Sequence, residues 1–277
     1  MYEMLWFFFV YAFFGWCTEV AYAALVTGRF VNRGFLNGPV CPIYGFGVLL
    51  VAGLLTPLKE NTLLLFLGSM VLTSALEWLG GFVLEKLFRQ RWWDYSDEPF
   101  NLNGYICLRF SVAWGLACLL VMEIVHPAIT IFIHWLPRMA GVLALAALGF
   151  LLVVDAAATV KGVLRMNRHL EEIDALARRI RAASDELGQS LAERVLDLSE
   201  KGQELKQTLR DKRVDVHEEL AEWKEDRSED LEELRGRLEK LLSKRDKLER
   251  RLVRAFPKMR SRRYKEALER LKRRLER

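Results

Sequence analysis

Residues 62–84 read TLLLFLGSMVLTSALEWLGGFVL, and Glu77 is the one charge among them. A bilayer core takes about 20 apolar residues per helical span, so this stretch reads as a membrane helix. Working outward, four more apolar runs follow the same logic: roughly Met4–Val26, Ile43–Leu58, Ile106–Val125 and Met139–Val154. Those from Ile43 and Met139 are short, which implies tilt or local thinning. The apolar piece Pro127–Pro137 is half a span, and the expectation is an interfacial or re-entrant segment with Trp135 at headgroup depth. Residues 1–160 hold 8 Lys+Arg, 10 Asp+Glu and 28 of the 31 aromatics, whereas residues 161–277 hold 33 Lys+Arg and 26 Asp+Glu. A mean hydropathy of +0.07 therefore averages two unlike halves. A single soluble globular domain is excluded. So is a disulfide scaffold, since Cys17, Cys41, Cys107 and Cys118 all lie in the apolar half. The expected fold class is all-α: a transmembrane helical bundle of about five spans, then a long cytoplasmic coiled-coil-like helix. The expected domains are 1–160, 161–256 and a basic C-terminal helix, 257–277.

Lys and Arg in short loops set orientation. Arg29 and Arg33 follow the first span, Lys86, Arg89 and Arg91 follow the third, and Lys161, Arg165 and Arg168 follow the fifth. Lys59 and Arg138 lie on the other side. The expectation is a multi-pass protein of the bacterial plasma membrane, N-terminus outside and tail in the cytoplasm. The first span has no basic region before it, so it reads as a retained helix and not a cleaved signal.

The two cytoplasmic loops, 27–42 and 86–105, are irregular. NRGFLNGPVCPIYGFG (32–47) has four Gly and two Pro; RWWDYSDEPFNLNGYICLRFS (91–111) has adjacent tryptophans and three acids. One reading makes Trp92, Trp93 and Tyr95 an interfacial aromatic belt. The other folds both loops back between helices to line a site, because irregular backbone at membrane depth must be satisfied by protein or a wet cavity. Glu19, Glu77, Glu85 and Arg109 are charges in or at the ends of spans, where each costs roughly 2.5–3.5 kcal/mol and needs a partner or a water path. Glu77 and Glu85 are eight residues apart, about 80° around a helix. These acids, Arg33 and Arg109 could converge at one depth; the alternative is that they are ion pairs and caps, with Glu85 reaching to the interface. Glu123 and Asp155 read as boundary residues. The candidate pocket comprises Glu19, Asn32, Arg33, Tyr44, Glu77, Glu85, Trp92, Trp93, Asp94, Tyr95, Asn101 and Arg109.

The run NRGFLNGPVCPIYGFG, the glutamate in the third span, and the later WWDYS, FNLNG, ICL and WG resemble a bacterial integral membrane family of ABC-transporter type IV permeases, over about residues 5–130. The resemblance implies a plasma-membrane permease component, and it covers Glu19, Asn32, Arg33, Tyr44, Glu77, Glu85, Trp92–Tyr95, Asn101 and Trp114 among others. It also implies Arg where this chain has Tyr105. The tail lies outside it.

No phosphate-binding loop G-x-x-x-x-G-K-[ST] occurs, so an ATPase would be a separate partner. Asp155-Ala156-Ala157 approaches the permease coupling signature, but Gly162 falls one position late and no Leu-Pro follows. No metal site is expected, since no C-x-x-C or neighbouring His accompanies the cysteines, and no cofactor fingerprint appears. In the tail, no Pro occurs from Gly162 to Phe256, and apolar residues recur at 3/4 spacing: Leu187, Leu191, Val195, Leu198, Leu205, Leu209, then Leu231, Leu234, Leu238, Leu241, Leu248 and Leu252. A coiled coil or helix pair is expected, able to bend at Gly188, Gly202 or Gly236. If continuous it would extend ~140 Å. Pro257 breaks it ahead of a Lys/Arg-rich end that reads first as a solvated coiled-coil face and second as a segment able to bind anionic lipid; nucleic acid is disfavoured, with Tyr264 alone available to stack. The implied partners are membrane lipids, a second copy through the tail, and a separate ATPase or cytoplasmic protein. Three functions fit: a permease-type transporter component with a cytoplasm-facing pocket, more in keeping with a non-enzyme; a membrane-anchored scaffold or sensor; and an enzyme acting on a lipid or envelope precursor.

Overall fold

A computed structural model describes residues 1–204, 230–244 and 246–276. The chain is all-α, with helices α1 (Tyr2–Thr27), α2 (Pro42–Leu55), α3 (Thr62–Phe88), α4 (Leu108–Leu120), α5 (His126–Trp135), α6 (Arg138–Glu204), α7 (230–243), α8 (Lys247–Ala255) and α9 (Lys265–Glu276). Among the described residues, four helical stretches are long and apolar enough to cross a membrane: Tyr2–Thr27, Thr62–Phe88, Leu108–Trp135 and Arg138–Ser190. The fifth expected span, Pro42–Leu58, is shorter.

Pro127–Pro137 is not a separate interfacial piece. A π-helical turn, Val121–Val125, joins α4 to α5, so Leu108–Trp135 forms one apolar stretch. A proline inside a regular α-helix removes one backbone bond and clashes with the preceding turn. The wider π turn just ahead of Pro127 accommodates both effects.

Small residues set how closely the helices approach. A Cβ added to Gly15 would collide with the Tyr44 ring, and one at Gly45 would meet the Phe8 backbone at 2.6 Å. Only glycine lets α1 and α2 come this close, as is usual where helices pack without a hydrophobic drive. A second close approach, at Gly81, brings Tyr105 and Trp93 against α3, where an added Cβ would meet their rings at 2.7 and 3.1 Å.

Loops one and two meet at one end of the bundle, where Phe35 packs against Phe88 and Trp92 at 5.6 and 5.0 Å. Two short ladders occur there among the described residues. β2 (Asn101–Leu102) pairs with β3 (Ile106–Cys107), and β1 (Gln90–Arg91) pairs antiparallel with β4 (Arg260–Ser261). The second of these joins residues 170 positions apart in sequence.

The tail therefore does not run on as one ~140 Å rod. α6 passes unbroken through Gly188 and Gly202, and the chain returns. Asp246 caps α8 by accepting from the amides of Leu248 and Glu249, and its carboxylate lies 3.5 Å from Arg165 on α6. α8 ends just before Pro257. Leu205 and Leu209 of the expected seam lie outside the described residues.

Two compact units result. The first is Met1–Met166 with Asp246–Arg263, so a piece of the tail belongs to the membrane unit. The second is Asn167–Arg245 with Tyr264–Arg277. Its core includes Leu170, Ile173, Leu268 and Leu271, all buried, with His169 bonded to the Leu241 carbonyl and Arg181 paired to Glu266. Deleting 264–277 and replacing 167–245 with a short Gly/Ser linker should leave the first unit folded, with its melting temperature within a few degrees. Truncation at residue 245 should lower it markedly, because Asp246–Arg263 are lost. Thermal unfolding in detergent checks both.

Candidate functional site

Loop one is built by a few polar side chains. Asn32 accepts from the Trp16 indole (2.8 Å) and the Gly34 amide (3.1 Å), and donates to the Asn37 carbonyl (2.8 Å). Asp155 on α6 accepts from the amides of Asn37 and Gly38 at 3.1 and 2.7 Å and from the Asn37 side chain at 2.9 Å. Arg251 on α8 donates to the carbonyls of Gly34 and Phe35 at 2.7 and 2.8 Å. The Cys41 amide bonds to the Ala12 carbonyl of α1, which draws the loop inward and starts α2. Burial, with the Glu19 charge adding to it, pushes the Cys41 thiol up to about 12 and keeps it protonated. Asp155, read from sequence as a boundary residue, anchors the loop.

Behind this loop, Glu19, Arg33, Tyr44, Glu77 and Tyr95 gather. The Tyr44 hydroxyl donates to Glu19 at 2.7 Å, and Arg33 pairs with Glu19 at 3.5 Å while its guanidinium lies 5.0 Å over the Tyr22 ring. The Tyr95 hydroxyl donates to Glu77 at 3.2 Å. Glu19 and Glu77 are within electrostatic reach of each other. Trp114 closes the cluster edge-on to Tyr44, with ring centroids 5.4 Å apart. Burial and the neighbouring carboxylates raise Tyr95 well above the ordinary phenol range, so it stays a donor. The second oxygen of Glu77 is buried and takes no well-formed hydrogen bond among the described residues, with the Trp114 side chain the other donor in reach of the carboxylate and no cation paired to it. Such a group is costly in an apolar surrounding and invites a proton, a water or a ligand.

Glu85 and Asp94 form a second, distinct cluster. Glu85 does not reach to the interface; it is 3% exposed. Arg91 and Tyr105 donate to it at 2.8 and 2.7 Å, and Arg262 pairs with it at 2.5 Å. Asp94, equally buried, accepts from the amide of Ser96 (3.0 Å) and from its hydroxyl (2.5 Å), and pairs with Arg260 at 2.8 Å and Arg91 at 3.5 Å. Burial alone would raise Asp94. The Ser96 hydrogen bonds and the charges of Arg260 and Arg91 outweigh it and hold the carboxyl below its usual range.

The remaining expected residues separate from both clusters. Trp92 is not part of an interfacial belt; it is buried edge-on between Phe35 and Phe256. Trp93 donates to the Tyr105 carbonyl, and Asn101 pins the loop by donating to the Ser96 and Glu98 carbonyls. Arg109 does not converge with the acids. It lies exposed on the second residue of α4, over the Phe110 ring at 5.8 Å. Sequence reasoning missed Arg91, Tyr105, Asp155, Arg251, Arg260 and Arg262. Arg91 was counted only for orientation, and nothing local marks the tail arginines. Among the described residues no group of three or more His, Cys, Asp and Glu is placed to hold a metal ion.

Two outcomes test the second cluster. Removing one partner of a buried ion pair strands the others, so Glu85→Ala should destabilise the protein by about 3 kcal/mol or more, measured by denaturant unfolding in detergent. Asp94 has a depressed folded pKa, so its contribution is full above the unfolded value near ~3.9 and fades as pH falls through the folded value. Melting temperature should drop below about pH 4, and Asp94→Asn should start lower and lose less with acid. An unchanged acid slope would remove Asp94 from the linkage.

A family model described as "Putative ABC-transporter type IV" matches residues 6–160. Neither a curated protein nor a solved structure matches the chain closely. The match takes in all five membrane-crossing or near-crossing helices and both irregular loops, and it stops in α6 where the charged half begins. The chain belongs to this ABC-transporter type IV family of membrane proteins.

Proposed function

We propose that the chain is the permease-type component of a transporter, with Glu19, Arg33, Tyr44, Glu77 and Tyr95 as its solute- or proton-binding cluster. The observation that carries this reading is Glu77 itself, a carboxylate buried in a membrane-crossing helix with no cation paired to it among the described residues and a second carboxylate, Glu19, within electrostatic reach. A group held this way in a membrane bundle is a functional residue by default. Two carboxylates face one guanidinium, so the cluster favours a solute bringing positive charge or hydrogen-bond donors. The transport unit is residues 1–160, with the returning segment 246–263 braced against it. Energy comes from a separate ATPase, in keeping with the family and with the missing phosphate loop. Glu85, Asp94, Asn32, Trp92, Trp93 and Asn101 hold the loops that frame the cluster. The loops and tail face the cytoplasm, following the Lys and Arg distribution.

Comparing small polar and cationic solutes in cells carrying the wild-type chain, the Glu77→Gln variant or neither tests the cluster. At equal membrane levels, a solute whose content changes with the wild-type chain should lose that change about tenfold or more in Glu77→Gln, while Arg109→Gln should keep it. Identical profiles for wild-type and Glu77→Gln would remove Glu77 from transport. Reporter fusions test orientation. Alkaline phosphatase fused after Glu60 should be active and a fluorescent protein after Arg277 should glow; the reverse pattern overturns the assignment.

A further inference from the structure

At the end of α3 a cleft of about 480 Å³ opens beside loop two. Its rim carries Lys86 and Arg89 from the end of α3, and Arg262 and Arg263 from the returning tail. Its one acid is Glu85, which Arg91 and Arg262 already engage. Among the described residues neither Lys86 nor Arg89 has an acidic partner. Both are exposed, and the Lys86 ammonium lies 5.6 Å from the Phe82 ring centroid in the cleft wall. The cleft thus holds surplus positive charge around a cavity large enough for a small anionic group.

The surface next to the cleft says which anion. Leu79, Phe82 and Val83 are all exposed on α3 and lead to Lys86 at helical spacing, with Leu87 exposed beside them. They form a lipid-facing stripe, because side chains three and four apart share a helix face. A soluble anion needs no such stripe. A phospholipid does: its phosphate belongs at the cationic rim and its acyl chains along the apolar face.

We propose that this cleft is a binding site for the headgroup of an anionic phospholipid, whose phosphate bridges Lys86 and Arg89 of α3 to Arg262 of the tail. Lys and Arg near a membrane surface each add attraction for anionic lipid, and paired guanidiniums suit phosphate oxygens. The lipid then fastens the returning segment to the membrane unit, beside the strand pairing at Gln90 and Ser261.

The full-length chain in detergent, exchanged with equimolar phosphatidylglycerol and phosphatidylcholine of identical acyl chains, is read by native mass spectrometry for retained lipid. Phosphatidylglycerol should be retained in preference. The preference should fall roughly tenfold in Lys86→Gln/Arg89→Gln, removing two cations. It should persist in Lys86→Arg/Arg89→Lys and in Lys59→Gln/Arg138→Gln, which removes two cations at the other end of the bundle. Three results overturn the site: equal retention of the two lipids by the wild-type chain, an unchanged preference in the folded Lys86→Gln/Arg89→Gln protein, or an equal loss in Lys59→Gln/Arg138→Gln. Displacement of phosphatidylglycerol by millimolar inorganic phosphate also overturns it, by making the site one for a soluble anion. If Lys86→Gln/Arg89→Gln fails to fold, the wild-type lipid preference and Lys59→Gln/Arg138→Gln decide alone.

Discussion

A carboxylate taken out of water needs a partner that came out of water with it. At the basic end of this bundle that requirement organises the chain. Glu85 and Asp94 are both nearly inaccessible, and four cationic or phenolic groups from two distant stretches of sequence converge on them. Arg91 comes from loop two itself. Arg260 and Arg262 come from the far end of the tail, and the two-residue ladder between β1 and β4 sets them in register. The membrane unit is therefore not complete at residue 160. Arg91 alone faces both acids from within loop two, and the returning tail supplies a further guanidinium to each.

The same requirement extends to backbone. Loop one has too many glycines and prolines for regular hydrogen bonding, yet it lies against helices. Its amides go to Asp155 and Asn32, and its carbonyls to Arg251. α6 supplies an acceptor and α8 a donor, so a loop that reads as loose is held from two sides. Burial lowers the Arg251 pKa, with the Asp155 charge opposing that effect. Acceptor and donor thus stabilise each other's charged forms across the loop.

How much of this was legible in the sequence follows from the range of each interaction. The spans were legible because hydrophobic length is local. The Glu77 and Tyr95 contact was half legible: a glutamate in a span and an irregular tyrosine-bearing loop nearby pointed to each other, though not to a bond. Glu85 was misplaced because its partners Arg262 and Tyr105 cannot be anticipated from its own helix. The Pro127 helix was misread because a π turn leaves no compositional mark. The return of the tail was left open by the sequence, because apolar residues at 3/4 spacing without proline fit a continuous rod and a helix pair alike. A new helix starts after Asp246, whose role as a cap is visible only once the direction of the chain is known.

The two carboxylate clusters have opposite characters, and that contrast locates function. Around Glu85 and Asp94, each carboxylate faces at least one guanidinium and one hydroxyl donor, and removing any member strands the others. A cluster of this kind holds geometry and does not cycle. Around Glu77 the donors are only the Tyr95 hydroxyl and the Trp114 side chain, no cation pairs with the carboxylate among the described residues, and a second carboxylate stands within reach. That site is unsatisfied as it stands and gains by binding something. A bundle whose loop-holding carboxylates are matched by guanidiniums can tolerate one carboxylate that is not. The satisfied cluster is thus the condition that lets the unsatisfied one exist, and chemistry that changes from state to state belongs to Glu77 and its neighbours.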